Sequence, residues 1–155
     1  MAKNMSNTRF RNIDVDAFDP EQFQDQDETG GDALSPGVGP DENQVAQLLQ
    51  SNRHEEALKV ALQNAPLKTK NQAVKDRATA TVVRVLTSIK QTDMEKIVEK
   101  LSSDQLDLLM KYVYKGMEIQ ADDQTCKSLL AWHSHIFNKG GLGSIVRVMT
   151  DRRRL

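Results

Sequence analysis

The chain has 155 residues, of which 38% are hydrophobic and 28% are charged, and its 21 basic and 22 acidic side chains leave a net charge of −1. This balance argues against a polybasic nucleic-acid binder. A single cysteine excludes an internal disulfide. The longest apolar run, residues 129–132, is far shorter than the roughly 20 residues of a membrane-spanning helix. The N-terminus has no apolar run that could form a signal-peptide core. These features predict a soluble, cytosolic-type protein with one folded domain.

The net charge conceals an uneven distribution along the chain. Residues 1–11 carry a charge of +3, residues 12–52 carry −10 without a single lysine or arginine, and residues 53–155 carry +6. Such asymmetry is typical of an interaction tail attached to a folded body.

Residues 1–40 are predicted to be an extended acidic arm that is disordered when free and binds a partner. Their low hydrophobicity, high charge and closely spaced Gly and Pro residues after position 29 give too little apolar area to offset chain entropy. Phe10, Phe18 and Phe23 are interspersed with aspartates, a pattern found in segments that become ordered on a partner. An ordinary solvated tail, or a tail that folds back on its own basic body, is the alternative.

Residues 41–155 read as an all-helical body, because apolar residues recur with helical spacing and no segment alternates with a period of two. The caps and breakers predict seven helices. The first two run from Asp41 to Gln50 and from Arg53 to Asn64. The next three begin at capping boxes and run from Thr69–Gln72 to Ile89, from Thr92–Glu95 to about Leu101, and from Ser102–Gln105 to Gly116; the last two run from Asp122 to Asn138 and from a Ser144 cap to Thr150. Short connections favour a compact bundle or short α-superhelix.

The third and fifth helices are broadly apolar and are therefore expected to be covered on more than one side. On the third helix, Val83 and Leu86 widen the apolar stripe. On the fifth, Leu108 and Tyr112 emerge opposite the main apolar side, where either the chain's own fold or another protein covers them. These four residues are the candidate docking positions of the body.

The histidines and the cysteine do not favour a catalytic or metal-binding site. His133 and His135 are two residues apart and point to different sides of a helix, so they cannot share a metal ion. Cys126 lies two turns, roughly 10 Å, from His133, too far for thiolate activation. His133 is instead expected to be a core histidine that donates one hydrogen bond, and Cys126 a small buried apolar residue. No catalytic residue, metal or cofactor is predicted.

Two further motifs have simple structural explanations. The run from Gly140 to Ser144 resembles a phosphate-binding turn, but it lacks a Walker lysine and a preceding strand, so a helix end followed by a tight turn is favoured. The basic end, with Arg147 and Arg152 to Arg154, could face nucleic acid, an acidic protein surface or its own helix dipole. The residues alone therefore favour an interaction protein over an enzyme.

Four blocks in this order resemble the family of subunit 5, the 16 kDa subunit, of the actin-related protein 2/3 complex. The blocks are residues 9–19 (RFRNIDVDAFD), 69–78 (TKNQAVKDRA), 106–116 (LDLLMKYVYKG) and 140–150 (GGLGSIVRVMT). The resemblance covers nearly the whole chain.

The resemblance implies a seven-helix α-superhelical body with an extended arm, in a non-catalytic subunit of a seven-subunit complex that nucleates branched actin filaments. It implies a body docked on subunits 4 and 1 and an arm that tethers the actin-related protein 2 subunit. The expected location is the cytoplasmic actin cytoskeleton, including cell projections such as lamellipodia. No nucleic acid or membrane is an expected partner, and actin filaments are contacted through the complex. The arm positions carried over from the family are Arg9, Phe10, Arg11, Asp14, Asp16, Phe18 and Phe23.

One alternative remains open at this point. The chain could be a free-standing helical adapter whose acidic arm binds an unrelated partner. Stoichiometric co-elution with six other chains would favour the complex subunit, whereas a monomer or homo-oligomer would favour the adapter.

Overall fold

A computed structural model describes residues 39–119 and 122–155 of the chain. These residues form six helical elements: α1 (Glu42–Gln50), α2 (His54–Leu62), α3 (Gln72–Ser88), α4 (Gln91–Lys100), α5 (Ser103–Glu118) and α6 (Asp123–Thr150). Within the described residues there is no strand, which confirms the all-α prediction. Residues 1–38 of the predicted arm lie outside the described residues.

The predicted sixth and seventh helices correspond to one element, α6, that is broken at Gly141. This glycine has φ 63° and ψ −169°, which no helix contains, and the chain is helical on both sides of it. Its backbone conformation is essentially restricted to glycine. The predicted turn after Asn138 is therefore present but one residue wide, and residues 142–150, hereafter the terminal segment, form a short helix of their own.

The helix starts were predicted with mixed success. Asp41 accepts hydrogen bonds from the N–H groups of Asn43 and Gln44, and Ser102 and Gln105 form the predicted capping box. The Thr69–Gln72 box is wrong, because Asn71 caps α3 and the Thr69 hydroxyl accepts from the N–H of Asn71.

The Thr92–Glu95 capping box is also wrong, since α4 begins at Gln91 after Lys90, which makes no side-chain cap. Only Ile89 and Lys90 separate α3 from α4. The helix therefore starts before Thr92 can serve as its cap.

The core lies around α3, which packs against α1, α2, α5 and α6. The prediction that the third helix is covered on more than one side is thus confirmed. Every helix contributes to the core. Its largest fully buried side chains are Trp132, Tyr112, Leu58, Leu86, Met94, Leu109, Met110, Leu129, Ile136, Val45, Val82 and Val85. Burial of such apolar area is the main favourable term in folding.

Gly116 does not end α5, as the sequence predicted, but lies inside it. A Cβ atom at this position would lie 2.8 Å from Cγ2 of Val83 and 3.2 Å from Cδ1 of Leu129. The glycine therefore serves the close approach of α3, α5 and α6, and α5 continues to Glu118.

Lys139 joins α6 to the end of α4. Its ammonium group donates to the carbonyl oxygens of Val98, Glu99 and Leu101 at 2.9, 2.8 and 2.7 Å. The last carbonyls of a helix lack i+4 partners. This lysine supplies a donor to those of Glu99 and Leu101, and at Val98 it adds to the hydrogen bond from the N–H of Leu101.

Candidate docking surface

Most of the exposed large apolar side chains among the described residues lie on α6. Leu130 and Phe137 are 59% and 40% exposed on its first part, and Leu142, Val146 and Met149 are 66%, 50% and 58% exposed on the terminal segment. Their spacings of seven, four and three residues put each group on one face of its helical segment. Exposed apolar side chains that cluster in this way are typical of protein–protein contacts.

The opposite face of the terminal segment packs inward. Ser144 is fully buried and donates to the carbonyl oxygen of Gly141 at 2.8 Å, and Ile145 and Val148 pack against the core. Ser144 is therefore not the N-cap that the sequence predicted. The terminal segment therefore carries apolar side chains on two faces. One face is buried in the chain and the other faces outward.

Two ion pairs fix the terminal segment and the residues after it on α5. Arg147 Nε and Nη2 donate to the two carboxylate oxygens of Asp107 at 2.5 and 2.9 Å. Lys111 Nζ donates to Asp151 Oδ2 at 2.5 Å, and this hydrogen bond is the main reason that the pKa of Asp151 is lowered. Asp107 and Lys111 are four residues apart on α5, but each side chain binds a residue near the end of the chain.

A groove of about 290 Å³ lies beside the terminal segment. It is lined by Lys111, Tyr114, Lys115, Glu118, Val148, Met149, Arg153, Arg154 and Leu155. Small-molecule sites usually occupy about 300–1,000 Å³ and converge a few polar groups on one point. This groove is smaller, and its lysines are already engaged with Asp151 and Glu118.

The docking positions predicted on α3 and α5 need correction. Leu86 and Tyr112 are fully buried in the chain's own core, so their side chains do not face a partner. Each lies on a helix that is covered on two sides by neighbouring helices. Val83 and Leu108 are only partly buried, and docking through them stays a prediction.

Among the described residues, the His133 side chain is hydrogen-bonded to Tyr114, but it is half-buried and does not lie in the core, contrary to the prediction from the sequence. Its Nε2 atom lies 3.1 Å from the hydroxyl oxygen of Tyr114, and the two rings meet edge to face at 5.5 Å. Among residues 39–119 and 122–155, no group of three or more His, Cys, Asp or Glu side chains is placed to hold a metal ion. Within the same ranges, no helix is long and apolar enough to cross a membrane.

A second depression, of about 400 Å³, lies between the α3–α4 turn and the start of α6. Its hydroxyl groups are already used as donors to the protein, since Thr87 and Ser88 donate to carbonyl oxygens of α3. The glycine-rich turn offers no cradle either, because the buried Ser144 hydroxyl is turned back onto Gly141. These sites therefore give no arrangement of nucleophile and base.

Comparison with known proteins identifies the family. The protein-family model described as ARP2/3 complex 16 kDa subunit (p16-Arc) matches residues 9–155. The chain belongs to this family. The chain is 44% identical to a probable actin-related protein 2/3 complex subunit 5 of Caenorhabditis elegans over 97% of its own length and 100% of the relative's. It is equally similar, at 44%, to the human actin-related protein 2/3 complex subunit 5-like protein over 99% of both chains.

Membership of the p16-Arc family confirms several predictions. Subunits of this family are structural, so the prediction that the chain is not an enzyme is confirmed. Family membership also associates the chain with the actin cytoskeleton of the cytoplasm. The predicted arm residues Arg9, Phe10, Arg11, Asp14, Asp16, Phe18 and Phe23 lie outside the described residues, although the family match begins at residue 9.

Sequence reasoning missed the outward face of the terminal segment. The signal was present, since Leu142, Val146 and Met149 follow an i, i+4, i+7 pattern. However, Ile145 and Val148 make the rest of the same segment apolar too. Periodicity alone could not decide which of the two faces packs against the core.

Proposed function

We propose that this chain is a non-catalytic structural subunit whose helical body docks within the ARP2/3 complex and whose N-terminal arm tethers the actin-related protein 2 subunit. Through that complex it contributes to the nucleation of branched actin filaments, including those of lamellipodia. The body is proposed to dock on subunits 4 and 1. The observation that carries this proposal is the exposed apolar face of α6, on a body whose own core is already closed.

The arm supports the second half of the proposal. Residues 12–52 carry a charge of −10, and three of the four phenylalanines of the chain lie in its first 23 residues. Apolar anchors give affinity, and flanking charges set the rate and register of binding. A body that is already docked also raises the effective concentration of the arm near its second partner, so even a weak arm contact can hold that partner.

The first experiment is purification of the tagged full-length chain from native extract. We expect stoichiometric recovery of the six other subunits of the complex. A chain that elutes alone, or only with copies of itself, would contradict the proposal and favour the free-standing adapter.

The second experiment tests the arm in the reconstituted complex. Deletion of residues 1–40 is expected to leave the helical circular dichroism unchanged and to loosen the actin-related protein 2 subunit. A matched variant with Phe10, Phe18 and Phe23 replaced by alanine keeps the length and charge of the arm and separates the contribution of the anchors. If both variants retain that subunit as tightly as the wild type, the tether is wrong.

A further inference from the structure

The outward face of the terminal segment and the groove beside it form one continuous surface. Met149 belongs to both, because it ends the exposed row of Leu142, Val146 and Met149 and also lines the groove. Arg153 and Arg154 line the same groove. We call these five residues the terminal surface.

The groove combines an apolar floor with a basic rim. Tyr114, Val148, Met149 and Leu155 contribute the apolar part of the lining. The rest of the lining consists of two lysines, two arginines and one acidic side chain, Glu118, which is paired with Lys115. A volume of about 290 Å³ suits a large side chain of a partner protein better than a cofactor-sized ligand.

The positive charge of the terminal surface is only partly compensated within the described chain. Lys111 and Lys115 are paired with Asp151 and Glu118. Arg153 also contributes to lowering the pKa of Asp151, but among the described acidic side chains none forms an ion pair with the exposed guanidinium groups of Arg153 and Arg154. Residues 139–155 contain five basic side chains and one acidic side chain, Asp151. Carboxylates on a partner would therefore complement this surface.

The surface is held in place before any partner binds. The bidentate bond between Arg147 and Asp107 fixes the terminal segment, Lys111 donates to the carbonyl oxygen of Arg153 at 3.0 Å, and Lys75 donates to that of Arg154 at 2.8 Å. Pre-ordering of a binding surface lowers the entropy cost of association.

We propose that the terminal surface binds a segment of a neighbouring subunit of the complex that presents a large apolar side chain flanked by carboxylates. The proposal rests on the proposed function above and adds to it the residues and the chemistry of one contact. The apolar side chain enters the groove beside Met149, and the carboxylates pair with Arg153 and Arg154.

The test measures incorporation of full-length variants into the reconstituted complex. Val146→Asp places a carboxylate on the apolar row, and the double variant Arg153→Glu, Arg154→Glu reverses the charge of the rim. Each is expected to weaken incorporation roughly tenfold or more. The matched controls are Ala80→Asp and Lys96→Glu, which make the same kinds of change at exposed positions of α3 and α4 and are expected to have little effect.

Circular dichroism of each variant separates a lost contact from a lost fold. If the terminal variants incorporate like the wild type, the further inference is wrong while the proposed function stands. If the wild-type chain itself fails to join the complex, the proposed function fails. These two failures are therefore distinguishable.

A photo-crosslinking residue at position 146 identifies the partner segment directly. The expected product is a crosslink to a peptide of another subunit of the complex that contains aspartate or glutamate beside a large apolar residue. The crosslink yield is also expected to fall as salt concentration rises, because exposed charge pairs are screened. A crosslink to a second copy of this chain, to nucleic acid or to a peptide without acidic residues would overturn the proposal.

Discussion

The indole nitrogen of Trp132 donates a hydrogen bond of 3.0 Å to the carbonyl oxygen of Leu86. Leu86 lies in the last turn of α3, where carbonyl groups have no partner inside the helix. Trp132 is fully buried, so one side chain fills the core with its ring and makes the shorter of the two side-chain hydrogen bonds to this carbonyl group with its N–H, the other coming from Ser128 at 3.4 Å. This bond joins the end of the central helix to the middle of α6.

Replacement of Trp132 by phenylalanine should lower the free energy of unfolding by about 2–4 kcal/mol. The smaller ring leaves a cavity, and the Leu86 carbonyl loses the hydrogen bond from the indole N–H. Urea denaturation followed by circular dichroism measures this change. Ser128→Ala is the matched control, since its hydroxyl donates to the same carbonyl oxygen at 3.4 Å. We expect a loss of only about 0.5–1 kcal/mol there, and equal losses in the two variants would contradict the assignment.

Replacement of Tyr112 by phenylalanine should leave stability at pH 7 unchanged or higher by up to about 1–2 kcal/mol. The Tyr112 hydroxyl is buried and has no hydrogen-bond partner among the described residues, so its removal costs no bond. Tyr114→Phe, which removes the contact with His133, is the control and should cost about 1 kcal/mol. A clear loss in Tyr112→Phe would show that its hydroxyl has a partner.

The same tyrosine gives a prediction at alkaline pH. Burial raises the pKa of the Tyr112 phenol well above its usual value of 10.0. Above that usual value the unfolded chain releases the proton while the folded chain keeps it, so stability falls as pH rises. We expect the wild type to lose up to about 1.4 kcal/mol more per pH unit above pH 10 than Tyr112→Phe, measured by denaturation at pH 9, 10 and 11. Parallel curves for the two proteins would contradict it.

Gly141→Ala should cost about 1–3 kcal/mol, since φ 63° with ψ −169° is open only to glycine. Gly143→Ala is the matched control two residues later. There the added Cβ meets Nη1 and Cζ of Arg147, at 2.9 and 3.8 Å, so the guanidinium group must shift slightly on Asp107. Alanine is the better helix former at this position, so a smaller net loss is expected. Thermal denaturation measures the loss of stability in the two variants. An equal loss at both positions would contradict the prediction that the backbone conformation of Gly141 requires glycine.

Asp107→Asn should loosen the terminal segment while leaving the core intact. It weakens the two hydrogen bonds from Arg147, so amides 145–150 should exchange with solvent roughly two- to fivefold faster. Glu118→Gln, which breaks the pair with Lys115 inside α5, is the control and should leave this exchange unchanged. Unchanged exchange in Asp107→Asn would mean that packing of Ile145 and Val148 alone holds the segment.

Local chemistry made several elements predictable. Asp41 and the Ser102–Gln105 box act through atoms within three residues of each other, so their geometry follows from sequence spacing. The boxes predicted at Thr69 and Thr92 failed because the positions of the neighbouring helices decide where the chain can turn. Similarly, Gly116 looked like a helix end but is required where Val83 and Leu129 approach α5.

The amino-acid sequence by itself determined the helical class, the uneven distribution of charge along the chain, and the family, because composition, period and long ungapped blocks do not depend on contacts between distant residues. Only the tertiary structure decided which apolar residues face outward. Tyr112 and Leu142 both lie in broadly apolar helices, yet one is fully buried and the other is 66% exposed. That difference follows from how the helices pack across distances that no local pattern records: α3 and α6 cover α5, while nothing described covers the outer face of the terminal segment.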